Sequence, residues 1–453
     1  MKVFFIGIGG ISMSALAVVC KNLGYEVLGS DRDDTDITRS LTQKDISVYK
    51  GQRKEHITSD IDEVVYTAAI HEDNEELKEA RRLGLKLYER AEFLGELMKK
   101  YDQSIAIAGT HGKTTTTAMV TQIFNLSDTK PTALVGGTFS AIGGNVEIGN
   151  SDVFIAEACE YVDSFLHFYP KIAVITNLEH DHPDYFKDLE QIKGSFRKFA
   201  AQVKSGGFVL ACGDYKNVRD ALAGLQQKVY YYGFKQGNDF VIKNVSYNDD
   251  MVPKFDIEIE DTLIKDIELS VRGEYNVYNA AAAICCAYLS NVPAVKIKKG
   301  IKQFKGVDRR FEYIGEKNGV KVYDDYAHHP TEIKSVLKMA KSASKGRLIT
   351  VFQPHTYSRT KSLYNEFVSA FKNSDITLLV DIYAAREDDD GTVSSAMLSD
   401  SINKSGKSSL YMESFEEASE YLDRNAKPGD LVLTLGAGLA FKIGRNYLGL
   451  PEK

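Results

Sequence analysis

Residues 105–119 read IAIAGTHGKTTTTAM. A short apolar run leads into two glycines, then a Lys-Thr pair, then a helical pattern. Residues 105–108 fit a buried strand, and a helix is predicted from about Thr115. A strand that turns through glycines into a helix is an anion-binding device, because unpaired backbone amides gather where the helix begins. In this loop the backbone of Ala108, Gly109, Thr110, His111, Gly112 and Thr115 would surround the β- and γ-phosphates of ATP. Lys113 would supply a positive charge, and the Thr114 hydroxyl would ligate Mg²⁺ or Mn²⁺. The usual loop of this kind carries glycine six residues before its lysine. Here that position is Ile107, so the loop is a shortened variant.

Working outward, short β-rich runs alternate with helical patterns. Buried parallel strands are predicted at 3–6, 26–29, 64–67, 153–156, 173–176 and 208–211, with a helix at 11–23 closed by Gly24. Alternation of this kind gives open, doubly wound α/β sheets. The texture changes over 239–271, where alternating apolar and charged residues predict a small antiparallel patch. After Gly306 the alternation resumes, with strands at 321–323, 348–352, 377–381 and 431–435. The chain has 453 residues, enough for about three domains. Boundaries are placed near 100 and 308, giving segments 1–100, 101–308 and 309–453.

Two further constellations carry chemistry. Residues 7–14 read GIGGISMS after the first strand, a glycine turn suited to a pyrophosphate. About twenty residues on, Ser30-Asp31 ends the second strand, where dinucleotide enzymes place a ribose-binding acid. The sixth position of the turn is Ser12 rather than Gly or Ala, so NAD binding, any nucleotide diphosphate and a bare structural turn all remain open there. Downstream, Glu157 and His182 each follow a strand end, and a carboxylate with an imidazole suits a divalent cation bridging phosphate. The run Asp388-Asp389-Asp390-Gly391 reads as a solvated acidic turn.

Composition narrows the classes. Lys and Arg number 56 against 63 Asp and Glu, a net charge of −7 that argues against nucleic acid or an anionic membrane as the main partner. The five cysteines are odd in number, lack C-x-x-C spacing and include an adjacent pair, so reduced thiols in the cytoplasm are expected. Residues 3–20 are nearly uncharged behind Lys2, but the glycines at 7, 9 and 10 break any signal-peptide core, and no uncharged run reaches membrane-spanning length. A cytoplasmic protein without membrane insertion is expected.

Taken in order, GIGGISMSALA, GTHGKTTTTAM, EACEYVDSFL, TNLEHDHPDYF, NVYNAAAA, GVDRRFE, DDYAHHPTEI and FQPHTYSRT resemble the Mur ligases of peptidoglycan synthesis over essentially the whole chain. The resemblance implies a Rossmann-like N-terminal domain for a UDP-sugar and a central ATPase domain. A Rossmann-like C-terminal domain would bind the amino acid and close over ATP. It implies ATP-dependent addition of L-alanine to the lactyl carboxylate of UDP-N-acetylmuramate, in the alanine-adding branch, by a monomer or weak dimer. By the same resemblance Lys113 neutralises phosphate charge, and Thr114, Glu157 and His182 hold metal. Asn276 and Asn279 contact the adenine side, Arg310 a phosphate and Asp325 the ribose. Gly9, Gly10, Ser14, Ser30, Asp31, Thr67 and Arg90 contact the UDP-sugar, and His328 with Arg359 grips the alanine carboxylate. Three plainer readings stand beside these: Asn276 and Asn279 as helix caps, Arg309-Arg310 as a solvated linker, and His328-His329 as a cap before Pro330. Thr356 stands where many relatives carry arginine. The competing functions are a salvage ligase adding a tripeptide to the same UDP-sugar, an NAD-dependent oxidoreductase, and a non-catalytic nucleotide-binding module.

Overall fold

The computed structural model describes residues 1–67, 69–259, 262–385 and 387–451. The chain packs as two compact units. The first holds Met1–Leu178, Lys193–Val241 and Ala280–Ile301, and the second holds Glu179–Ile192, Ile242–Asn279 and the chain from Lys302 onward.

The first unit carries an N-terminal parallel sheet in the order Ser47–Lys50, Glu26–Asp31, Lys2–Ile6, Glu63–Tyr66, Lys86–Glu89. Strand order reverses beside Lys2–Ile6, and ligands of such sheets bind at that switch point. Val3, Phe4, Phe5 and Ile6 are all fully buried, as a strand covered by helices on both faces requires. The edge strands Ser47–Lys50 and Lys86–Glu89 were not expected from the sequence, because each holds only two apolar or aromatic residues between polar or charged ends.

Its second sheet runs in the order Lys228–Gly233, Phe208–Cys212, Ile172–Ile175, Gln103–Ala108, Val153–Glu157, Thr132–Phe139, Gly144–Glu147. All the strands predicted for this region are present and parallel. The antiparallel pair Thr132–Phe139 and Gly144–Glu147 was not expected: its glycines break the apolar pattern. The helix after the loop begins at Lys113, two residues earlier than predicted, because Gly112 supplies the turn directly before it. Behind the sheet Phe165 stacks on Phe199 at 4.8 Å and meets Phe196 edge-on at 5.1 Å.

In the second unit Pro253–Ile259 and Thr262–Glu268 form the expected antiparallel pair. A six-stranded sheet follows in the order Glu312–Lys317, Val320–Asp325, Leu431–Leu435, Leu348–Phe352, Ile376–Leu379, Ser409–Tyr411, parallel except for its first pair. Its core holds Phe352, Phe367 and Phe371 on one face and Val351, Leu378 and Ile443 on the other. Among the described residues no helix is long and apolar enough to cross a membrane.

Helix Arg90–Met98 lies against the segment Tyr161–His167 so closely that a Cβ at Gly95 would overlap the His167 carbonyl oxygen and come 3.0 Å from its carbon. Gly95→Ala should therefore cost about 1–3 kcal/mol by forcing the helix outward. Chemical denaturation of the first unit should show that loss; an unchanged midpoint would mean the helix shifts freely.

Candidate active site

Strand Gln103–Ala108 delivers the chain to the loop 109–112. Gly109 sits at φ +142°, where an added Cβ would run into the Thr176 hydroxyl, and Gly112 caps the helix in the left-handed region at φ +81°. Thr176 and Asn177, at the end of the neighbouring strand, hold the loop. Thr176 Oγ1 and Asn177 Nδ2 donate to the His111 carbonyl at 2.7 and 2.9 Å, and the His111 N–H donates to Asn177 Oδ1 at 2.8 Å. The sequence reading missed this pair, although it lies inside the motif TNLEHDHPDYF.

Lys113 lies beneath the loop. Its Nζ donates to both carboxylate oxygens of Glu160, at 3.0 and 2.9 Å, and to the carbonyls of Gly109 and Thr110. Burial is the largest single influence and works against the ammonium, but the charge and hydrogen bonds of Glu160, with Cys159 and Glu157 nearby, together outweigh it, and the Lys113 pKa is raised. Glu160 is itself only 2% exposed and was not expected. Beside Lys113, Thr114 Oγ1 donates to Glu157 Oε2 at 3.1 Å, and the N–H of Gly136 donates to Glu157 Oε1 at 2.6 Å. A hydroxyl and a carboxylate this close can hold a hard divalent cation. Ala108, Thr110 and Thr115 are buried in the same loop.

At the N-terminal turn, the Gly9 N–H donates to Asp31 Oδ2 at 2.8 Å. Gly10 starts helix Ile11–Asn22 without a side-chain cap, so backbone amides of its first turn have no cap acceptor. The Ser14 hydroxyl and Asn145 Nδ2 both donate to the Ile11 carbonyl at 2.9 Å. Ser30 lies deeper than expected. It is fully buried, and its hydroxyl donates to Glu76 Oε2 at 2.5 Å. Glu76, also fully buried, accepts from the Arg53 N–H and meets His56 Nδ1 at 2.7 Å; burial pushes its carboxyl up against these partners. The structure thus places the Ser30 side chain against protein. Thr67 is half-buried and accepts from the Ala69 N–H, and Arg90 opens its helix, half-buried.

The second unit gathers the remaining candidates. Arg359 is 4% exposed; its Nε donates to Asp181 Oδ1 at 3.0 Å and its Nη1 lies 3.1 Å from His355 Nδ1. The guanidinium is therefore already anchored on one edge. Burial opposes charge on Asp181, but Arg359 and the imidazoles of His182, His328 and His329 hold its carboxyl well below the usual range. His182 adopts φ +54°, and its N–H donates to Asp181 Oδ1 at 2.7 Å. Desolvation pushes His328 down to about 3 and His355 down to about 4. His329 caps helix Pro330–Ala343 through a reciprocal pair with Glu332, so the capping reading holds for this member of the His328-His329 pair.

Asp325 accepts from the Phe311 and Ala327 N–H groups at 2.7 Å each, and burial pushes it up to about 7 against the charge of Arg310. Arg310 lies 5.1 Å from the Tyr326 ring centroid. Asn276 Nδ2 donates to the Arg272 carbonyl, and Asn279 Nδ2 donates to Asn276 Oδ1. The acidic turn is exposed, with Asp390 accepting from Thr392 and paired to Lys361 at 3.3 Å.

Three family models match the chain in succession: the Mur ligase family catalytic domain over residues 2–102, the Mur ligase middle domain over 107–287, and the Mur ligase glutamate ligase domain over 309–438. A UDP-N-acetylmuramate–L-alanine ligase from Acetivibrio thermocellus is 47% identical over 98% of this chain and 95% of its own length. The crystal structure of a UDP-N-acetylmuramate–alanine ligase from Thermotoga maritima superposes with a TM-score of 0.82 at 26% identity, covering 99% of this chain and 98% of that one. A murein peptide ligase from Psychrobacter arcticus shares the fold, with a TM-score of 0.71 at 24% identity, covering 99% and 98%. With three ordered domain matches and near-half identity end to end, this chain belongs to the Mur ligase family and has its three-domain α/β fold.

Proposed function

We propose that this protein is an ATP-dependent ligase that joins L-alanine to the lactyl carboxylate of UDP-N-acetylmuramate, releasing ADP and phosphate. The observation that carries the reading is the 47% identity, across nearly all of both chains, to the Acetivibrio enzyme of that name. The division of labour follows the segments 1–100 for the UDP-sugar, 101–308 for ATP and 309–453 for the amino acid. We place the protein in the cytoplasm, as a monomer or weak dimer.

The chemistry asks little covalent work of the protein. The lactyl carboxylate attacks the γ-phosphorus, ADP leaves, and the resulting acyl phosphate carries a good leaving group. The amine of alanine then attacks the acyl carbon, and phosphate departs as the amide forms. Positioning and charge neutralisation lower both barriers. Lys113 is assigned the second task, its ammonium lying against the Gly109 and Thr110 carbonyls of the loop that would meet the phosphates. Thr114 and Glu157, whose hydroxyl and carboxylate oxygens lie 3.1 Å apart, would hold Mg²⁺, a hard cation that takes oxygen ligands. A cation held there would neutralise phosphate oxygens. Asn276, Asn279, Arg310 and Asp325 are assigned to the rest of ATP, and Gly9, Gly10, Ser14, Asp31, Thr67 and Arg90 to the UDP-sugar. Ser30 would act on that site through Glu76.

Incubation with UDP-N-acetylmuramate, ATP, Mg²⁺ and L-alanine should give UDP-N-acetylmuramoyl-L-alanine by mass spectrometry. Product only with a tripeptide would shift the reading to the salvage reaction. Lys113→Met should reduce turnover by about 10³-fold or more, because its charge acts on phosphates during transfer, while calorimetry shows the UDP-sugar still bound. Loss of UDP-sugar affinity would argue that Lys113 serves the wrong substrate.

Alanine offers only a methyl for recognition, so its carboxylate needs a fixed cation. Arg359→Lys keeps charge but loses both the guanidinium geometry and the Asp181 anchor. The Michaelis constant for alanine should rise at least about tenfold, some 1.4 kcal/mol, with those for ATP and UDP-sugar nearly unmoved. A shift in the ATP constant instead would place Arg359 at the nucleotide.

His328 in the folded chain titrates near 3, below the unfolded value of about 6.5, so acid protonates the unfolded chain first. Its contribution to stability is complete above about pH 6.5 and falls by up to about 1.4 kcal/mol per unit below that. NMR should find the His328 imidazole neutral at pH 5; a midpoint near 6.5 would contradict its desolvation.

A further inference from the structure

Glu157 is gripped from a direction that no motif announces. The Gly136 N–H donates to Oε1 at 2.6 Å while Thr114 Oγ1 donates to Oε2 at 3.1 Å, so the two carboxylate oxygens are held by separate elements. The first donor comes from strand Thr132–Phe139 and the second from helix Lys113–Asn125.

The pairing pattern explains why this donor is available. Strand Thr132–Phe139 pairs in parallel with Val153–Glu157 only as far as Leu134 opposite Ala156. Its antiparallel register with Gly144–Glu147 then jumps from Leu134 to Phe139. Gly136 falls inside that gap, where its N–H is released from the ladder and taken by the carboxylate.

Glycine is needed here for space. Gly136 is not among the residues with left-handed φ, so other residues could adopt its backbone conformation. A Cβ, however, would lie within 2.7 Å of Oε1, Oε2 and Cδ of Glu157, well inside van der Waals contact. Close approach of backbone to a charged group is a use of glycine in a strand that conformation alone does not reveal.

The geometry points to Gly136 as a positioning residue for the metal-side carboxylate: its N–H and its missing side chain fix the plane in which Glu157 presents an oxygen to a cation. A carboxylate rotates broadly about its last bond, and two donors on opposite oxygens remove that freedom before the cation arrives. The inference rests on the proposed role of Glu157 as a cation ligand.

The test is Mn²⁺ binding in the presence of ADP, followed by electron paramagnetic resonance without UDP-sugar or alanine. Gly136→Ala should weaken Mn²⁺ by about 10–100-fold, the range for outer-shell partners of a metal ligand. Gly144→Ala lies in the same hairpin, where a Cβ meets nothing within 4 Å, and should change Mn²⁺ affinity by less than about threefold. Calorimetry with UDP-N-acetylmuramate should show both variants binding as the parent does. Glu157→Asp withdraws the carboxylate from the added methyl, so Gly136→Ala should cost less than about threefold more in that background. If Gly136→Ala alone does not fold, this comparison in the Glu157→Asp background decides the question. Unchanged Mn²⁺ affinity in Gly136→Ala, or a further tenfold loss in the double variant, would overturn the inference. Unchanged affinity in Glu157→Gln would instead overturn the assignment of Glu157 on which it rests.

Discussion

Lys113 presents the problem that the rest of the first unit is arranged to solve: an ammonium must be kept charged where water has been removed. Burial alone would pull its pKa down, and Glu160 at 2.9 Å, through its charge and hydrogen bonds, together with Cys159 and Glu157, more than compensates. That pairing works only if the loop passes directly above, which fixes the carbonyls of Gly109 and Thr110 as further acceptors. The loop in turn holds its path because Gly109 fits against Thr176 and because Asn177 ties both ends of His111. Those two residues lie at the end of a strand placed next to Gln103–Ala108 by the parallel register. Thus the position of one charge depends on the order of strands in a sheet.

Buried carboxylates held by partners recur elsewhere. Glu76 is fully buried beneath the N-terminal turn and is satisfied by Ser30, the Arg53 amide and His56. In the second unit Asp181 holds Arg359, and Asp325 is held by two backbone amides. Breaking any of these contacts from one side would strand a buried polar group, which costs far more than the intact contact contributes. Such networks are rigid, and rigidity is what phosphoryl transfer asks of a protein whose task is orientation and neutralisation.

Glycine serves three separate purposes here. At 109 and 112 it permits backbone angles that other residues rarely adopt, at 95 it lets a helix approach a carbonyl, and at 136 it makes room for a carboxylate. Only the first purpose is visible as a motif. The others depend on what happens to lie opposite, and that is a property of packing.

The division between sequence and tertiary structure follows the range of the forces involved. Strands such as 153–156 and 431–435, the helix after Gly10 and the phosphate loop were legible because they depend on local periodicity and on glycines next to a Lys-Thr pair. Family membership was legible because eight short motifs occur in order. Edge strands such as Ser47–Lys50 were not, since half-exposed strands lack an apolar run and exist only through their neighbours. Nor could sequence show that Ser30 faces inward to Glu76, that Glu160 pairs with Lys113, 47 residues earlier, or that Arg359 is anchored on Asp181, 178 residues away. Which chemistry the chain carries was decided by residue types in local order. Which of those side chains are left to meet a ligand was decided by long-range burial, where every charge removed from water must find its partner in the fold.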